Sequence, residues 1–187
     1  MGLFKAMKEM IRFRKELKKA LSEENTQNER FLAMTTDELS NLTDDELFDA
    51  VLVRTEHKVD QYEQWEDGVN ALNPNQKIFY SVNWLETEVN NGGLCQFFVN
   101  SSRMVAPFVS AYMGIIGADA HKKLFDGFVA KNEIDLTDLS SFDTDDADAF
   151  EAQTQRYPFD DYDDAFYEME PLETYLKKFT RDHLSDF

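Results

Sequence analysis

One cysteine in 187 residues excludes an internal disulfide framework, and no stretch reads as a hydrophobic signal segment, so a cytoplasmic protein is the default expectation. No apolar run approaches the roughly 20 residues that a membrane-spanning helix needs. Seven glycines and four prolines supply few turns, which favours long helices over many short strands. Basic side chains are also scarce: 19 Lys and Arg stand against 37 Asp and Glu, a net charge of −18. Phosphate-binding glycine loops, nucleophile elbows and dinucleotide fingerprints are missing. His57, His121 and His183 stand alone, without a partner at metal-ligand spacing. These gaps point away from an enzyme and indicate no catalytic residue, metal site or cofactor.

What is present is apolar and aromatic. A hydrophobic content of 42% with sixteen Phe predicts a folded domain rather than a disordered acidic tail, and the length suits one domain. The charge is unevenly spread. Residues 1–21 hold seven Lys or Arg and two Glu, leaving 12 basic and 35 acidic residues, or −23, for the remainder. The expected organisation is a basic amphipathic N-terminal helix over residues 1–25 and an acidic all-α domain over residues 26–187. In the first, Leu3, Met7, Met10, Leu17 and Leu21 share a stripe that suits packing on the acidic body or on a second subunit better than a membrane. The −23 body repels nucleic acid and attracts basic protein surfaces.

Helix starts are written into the chain. Thr35-Thr36-Asp37-Glu38 and Thr43-Asp44-Asp45-Glu46 are capping boxes, with Thr first and Glu three residues on. Asn73-Pro74 opens a helix in which Ile78, Val82, Leu85 and Val89 recur at helical spacing. Ser22 to Arg30 reads as a polar connector. Met104 to Ile116 is apolar nearly all round and is expected to be the buried central helix of an irregular single-domain bundle. A last helix follows Glu170-Pro171.

The chain is organised around residues 88–100. Asn90-Asn91-Gly92-Gly93 should stop the preceding helix, because Gly and Asn accept the left-handed conformation. Leu94, Phe97 and Phe98 then form a second apolar cluster, so a sharp turn is expected between two buried elements. Asn90, Asn91, Gln96 and Asn100 surround it with amides, suited to backbone groups that a tight corner leaves unpaired. A structural corner and a polar pocket both fit. Glu86 and Glu88, two apart on a helix, point in different directions and form no catalytic pair.

From Ser140 the chain is densely acidic: Asp143, Asp145, Asp146, Asp148 and Glu151, then Asp160, Asp161, Asp163 and Asp164. Phe142, Phe150, Tyr157, Phe159, Tyr162, Phe166 and Tyr167 interleave with them, anchoring the segment while the carboxylates stay wet. A calcium loop fails, since counting from Asp143 puts Ala147 at the fifth position and Asp148 where glycine is required.

Glu88, Asn90-Asn91-Gly92-Gly93, Gln96-Phe97-Phe98 and Asn100-Ser101-Ser102 resemble the signature of an all-helical bacterial family of DNA-mimic proteins of the DMP type. The likeness resumes at Ile115-Ile116-Gly117-Ala118 and at residues 159–167, and spans roughly residues 40–185. The resemblance implies an all-α fold. It also implies an acidic, dimeric protein that occupies the DNA-binding face of a transcription factor. The leading expectation is therefore a non-enzymatic module whose acidic face engages a basic protein partner such as a DNA-binding protein, with no direct contact to nucleic acid. Two alternatives stay open: an inhibitor or immunity partner of a basic nuclease or toxin, and an enzyme or small-ligand protein with a pocket around Glu88, Asn91 and Gln96.

Overall fold

The computed structural model describes Phe13, Lys19, residues 22–144 and residues 147–187. Helices and short 3-10 turns make up the regular structure among the described residues, and no strand occurs there, so the fold is all-α. Apart from Phe13, Lys19 and residues 22–25, the basic helix expected over residues 1–25 lies outside them.

Residues 22–33 are helical (α1) where a polar connector was expected, and Phe31 near its end is buried. Thr35 opens α2 (Thr36–Ser40) and Thr43 opens α3 (Asp44–Val59), both through complete capping boxes. In each box the Glu three residues on returns its carboxylate to the threonine N–H, at 2.7 Å for Glu38 and 3.2 Å for Glu46. A short α4 (Trp65–Asn70) follows. Asn73 then caps α5 (Pro74–Val99), accepting from Gln76 N–H at 2.8 Å, with Pro74 in the first turn where no N–H is needed. The remaining helices are α6 (Ala106–Ile115), α7 (Asp119–Lys131), α8 (Ala147–Thr154), α9 (Phe159–Tyr167) and α10 (Leu172–Asp182).

The centre of the bundle is α5, not the 104–116 segment. Helices α3, α4, α6, α8, α9 and α10 all pack on α5, which buries residues from Ile78 to Phe98. Helix α6 buries only Ala106, Val109 and Met113, and leaves Phe108 and Ile115 more than half exposed. Counting apolar residues misplaced the core because it ignores which side of the helix has a neighbour. Phe98 occupies the middle of an aromatic cluster. Its ring stacks on Phe142 at 4.9 Å and meets Phe97, Phe125 and Phe159 within 6.4 Å. Offset and tilted aromatic pairs at such distances add stability beyond area burial.

Helix α10 closes the bundle against α3 and α5. Leu172, Leu176 and Phe179 face inward. Its first turn rests on α5: the Leu172 and Glu173 N–H groups donate to the buried Glu86 carboxylate at 2.6 and 2.9 Å. A carboxylate from another helix thus caps α10, where orphan amides and the dipole both favour negative charge. Burial pushes the Glu86 carboxyl above its ordinary range, against the pull of those two amides.

Candidate functional sites at the glycine corner and the acidic face

Helix α5 breaks where the glycines predict. Gly92 (φ −161°, ψ 26°) and Gly93 (φ 78°, ψ 175°) depart from helical geometry, and Gly93 occupies a region essentially closed to other residues. In an unbroken helix Val89 C=O would pair with Gly93 N–H, and Leu94 N–H with the Asn90 carbonyl. At the break α9 meets both groups. Tyr167 Oη donates to the Val89 carbonyl at 2.7 Å, and Asp163 Oδ1 accepts from Leu94 N–H at 2.8 Å. A Cβ on Gly93 would lie 2.2 Å from Asp163 Oδ2, so the missing side chain makes room for that carboxylate.

The amides around the corner do not serve the backbone, as the sequence suggested. Gln96 Nε2 and Asn100 Nδ2 donate to one oxygen of Glu88 at 2.6 and 2.8 Å, and Ser102 Oγ donates to the other at 2.9 Å. Glu88 is 5% exposed, and these three neutral donors offset the cost of burying a carboxylate. The bonds tie the first half of α5 to its second half and to the 3-10 turn Ser101–Val105. Asn90, Asn91 and Gly92 are exposed, whereas Gly93, Phe97 and Phe98 are buried. Glu86 and Glu88 diverge as their spacing requires, one toward α10 and the other toward Ser102.

The second set of predicted residues lies on α8, α9 and the turn before them. Asp143 is exposed and paired with Arg103. Asp145 and Asp146 lie outside the described residues. Asp148 and Glu151 are exposed on α8. On α9, Phe159, Tyr162 and Phe166 are buried while Asp160, Asp161 and Asp164 are exposed, a clean division of the helix into apolar and acidic sides. Asp163 is half-buried and turned to the corner. Burial, followed by the charges of Asp160 and Asp164, raises its carboxyl above the ordinary range, while Leu94 N–H opposes the rise. Tyr167 is 53% exposed yet still reaches α5 through its hydroxyl.

Among the described residues, no ion pair involves Asp148, Glu151, Asp160, Asp161 or Asp164. Asp160 and Asp161 stand in the first turn of α9, where the dipole favours acids, whereas Asp164 lies in its last turn, where it does not. Asp160 and Asp164 are like charges at i,i+4, Asp161 and Asp164 at i,i+3, and the last turn holds no base to offset them. Sequence reasoning found these acids and the glycines. It missed the roles of Glu86, Ser102 and Tyr167, whose partners lie 14 to 87 residues away along the chain.

Among the described residues no helix is long and apolar enough to cross a membrane, and no three His, Cys, Asp or Glu side chains converge as a metal-holding group. No curated protein and no solved structure matches the chain. The family model described as DMP19-like protein does match, over residues 70–183. That span is more than half of the chain and takes in all of α5 to α10, so both the glycine corner and the acidic face fall within it. The chain belongs to the DMP19-like protein family.

Proposed function

We propose that the protein is a non-enzymatic binding module whose α8–α9 carboxylates occupy the cationic surface of a DNA-binding protein in place of DNA. The observation that carries this reading is the row Asp160, Asp161 and Asp164, which has no ion pair among the described residues, on a helix whose other side is locked to the core. Three charges within about 6 Å of helix axis give an average spacing near 3 Å. One DNA strand carries a phosphate about every 3.4 Å. The two densities are comparable, so a groove lined with Lys and Arg would meet a similar field from either. The family membership and the signature resemblance to DNA-mimic proteins support the same reading.

Rigidity matters as much as charge. The buried rings and the Asp163 and Tyr167 bonds to the corner fix α9 before any partner arrives, which lowers the ordering entropy lost on association. Binding built on such contacts weakens as salt rises.

Capture from cell lysate on immobilised protein tests the reading. A DNA-binding protein should be retained at low salt, released by high salt, and displaced by duplex DNA added in solution. The triple variant Asp160→Asn, Asp161→Asn, Asp164→Asn should retain much less of it at the same fold stability. A captured protein that duplex DNA fails to displace, or equal retention by the triple variant, would refute the assignment. A captured nuclease would redirect it to inhibition.

A further inference from the structure

Beneath the acidic loop between α3 and α4 lies a cavity of about 320 Å³ that the α8–α9 face does not use. Three aromatic residues form its walls: Trp65 at the start of α4, and Tyr80 and Trp84 one turn apart on α5. Their ring centroids lie 6.0 to 6.2 Å from one another. Trp65 and Trp84 are nearly perpendicular at 86°, and Tyr80 meets Trp84 at 62°, so the ring planes enclose a corner rather than stack. The Trp65 indole N–H donates to the Tyr80 hydroxyl at 3.0 Å, which fixes two walls against each other. The Trp84 N–H is buried without a well-formed hydrogen bond.

Three carboxylates complete the lining. Glu88 enters from the corner network, and Glu56 and Asp60 come from the last turn of α3 and its cap. Among the described residues no Lys, Arg or His lines the cavity. Glu56 and Asp60 sit at i,i+4 with no ion pair among the described residues, a spacing at which like charges repel. Burial and the Asp60 charge together push the Glu56 carboxyl above its ordinary range. Glu63, Glu66 and Asp67 are exposed in the adjoining loop and first turn of α4, extending the negative potential outward.

We propose that this cavity binds an organic cation, an alkylated ammonium or guanidinium head, seated against Trp65, Tyr80 and Trp84 and neutralised by Glu56 and Asp60. Aromatic faces attract such weakly hydrated cations, and cages of this kind are how proteins recognise quaternary ammonium groups. A volume near 300 Å³ suits a head group with a short tail rather than a large ligand. An anion would meet three carboxylates. A metal ion would meet indole and phenol walls that offer it poor ligands. The head group could belong to a free amine or to a methylated lysine or arginine side chain, and the chemistry of recognition is shared.

Trp65 and Trp84 are the only tryptophans in the chain, so intrinsic tryptophan fluorescence reports on this cavity alone. Choline, N-methylguanidinium and a trimethyllysine peptide are titrated at constant ionic strength, with 3,3-dimethylbutanol as the uncharged isostere of choline. A saturable fluorescence change with a cation, at least about tenfold weaker with the alcohol, is expected. Glu56→Gln should weaken the cation response about tenfold while leaving the thermal midpoint within a few degrees of wild type. Glu56 is half-buried and its side chain makes no hydrogen bond or ion pair among the described residues, so this variant keeps the fold while removing the charge. Preference for choline assigns the site to a free amine, and preference for the peptide assigns it to a protein side chain. No saturable response to any of the three cations, an equal response to the alcohol, or an unchanged response in Glu56→Gln overturns the proposal. None of these outcomes depends on whether α9 engages a DNA-binding protein.

Discussion

Two segments of this chain are densely acidic and are used in opposite ways. At the start of α3, Asp44 pairs with Arg181 at 2.6 Å, Asp45 with Lys177 at 2.5 Å, and Glu46 closes its own capping box. Arg181 also donates to the Ser40 and Leu42 carbonyls, so one guanidinium pins the α2–α3 connection to α10. The neighbouring Asp45 and Glu173 hold the Lys177 ammonium well above its usual range. On α9 no carboxylate has a cationic partner among the described residues: Asp163, which faces inward, accepts from the Leu94 N–H, and Asp160, Asp161 and Asp164 are exposed. Acidic composition is therefore not a function in itself. What distinguishes the two segments is whether the fold supplies its own cations.

The comparison can be broken from either side. The largest effect is expected from Gly93→Ala, which forces a side chain into a glycine-only conformation and against the Asp163 carboxylate. A loss of about 2–3 kcal/mol in chemical denaturation is expected, because the seat that holds the α9 row in place is disturbed. Unchanged stability would mean that the corner relaxes freely and that α9 does not depend on it. Arg181→Ala should come next, at about 1 kcal/mol, since it frees the partly buried Leu42 carbonyl together with the exposed Ser40 carbonyl and Asp44 carboxylate. The paired segment therefore loses stability when its cation is removed.

The unpaired segment should respond with the other sign. Asp164→Asn is expected to raise stability by a few tenths of a kcal/mol, because it removes an acid from the last turn of α9 that lies i,i+4 from Asp160 and i,i+3 from Asp161. A loss instead would reveal a partner for this carboxylate within the fold. The smallest effect is on Asp163. Its carboxyl is raised in the folded protein, so the native state holds that proton more firmly than the unfolded chain does. The associated stability is fully present below the ordinary carboxylate range and is lost as pH rises through the raised value. Removing the Asp160 and Asp164 charges lowers that value, so the double variant Asp160→Asn with Asp164→Asn should lose less stability than wild type as pH rises above the ordinary carboxylate range. Carboxyl-detected NMR titration of Asp163 in the two proteins checks this directly.

Much of the frame was legible in the chain. The capping boxes at Thr35 and Thr43, the start at Asn73-Pro74 and the break at Gly92-Gly93 all rest on side chains acting within a few residues of themselves. Local chemistry is what a sequence displays. The 104–116 segment failed because hydrophobicity states how apolar a helix is, not which neighbours it will have, and α6 keeps Phe108 and Ile115 in water. The purpose of Glu88 was hidden for a related reason. Its donors Gln96, Asn100 and Ser102 look like free amides and a hydroxyl until the break folds them back. The aromatic cavity was missed altogether. Trp65 and Trp84 are 19 positions apart, and only the cluster Asp60, Glu63, Glu66 and Asp67 around the first of them hinted at it.

Cys95 sits two residues beyond the corner, 2% exposed, with its thiol pushed up to about 11 by burial and by Asp163. A thiol so placed yields almost no thiolate near neutral pH and stays silent toward maleimides and nitroxide reagents. The native chain is thus already a blank for site-directed labelling. A cysteine introduced at an outward position of α9 would carry the sole reactive sulfur, so a spin or fluorescent tag there could follow a docking partner without engineering the background away.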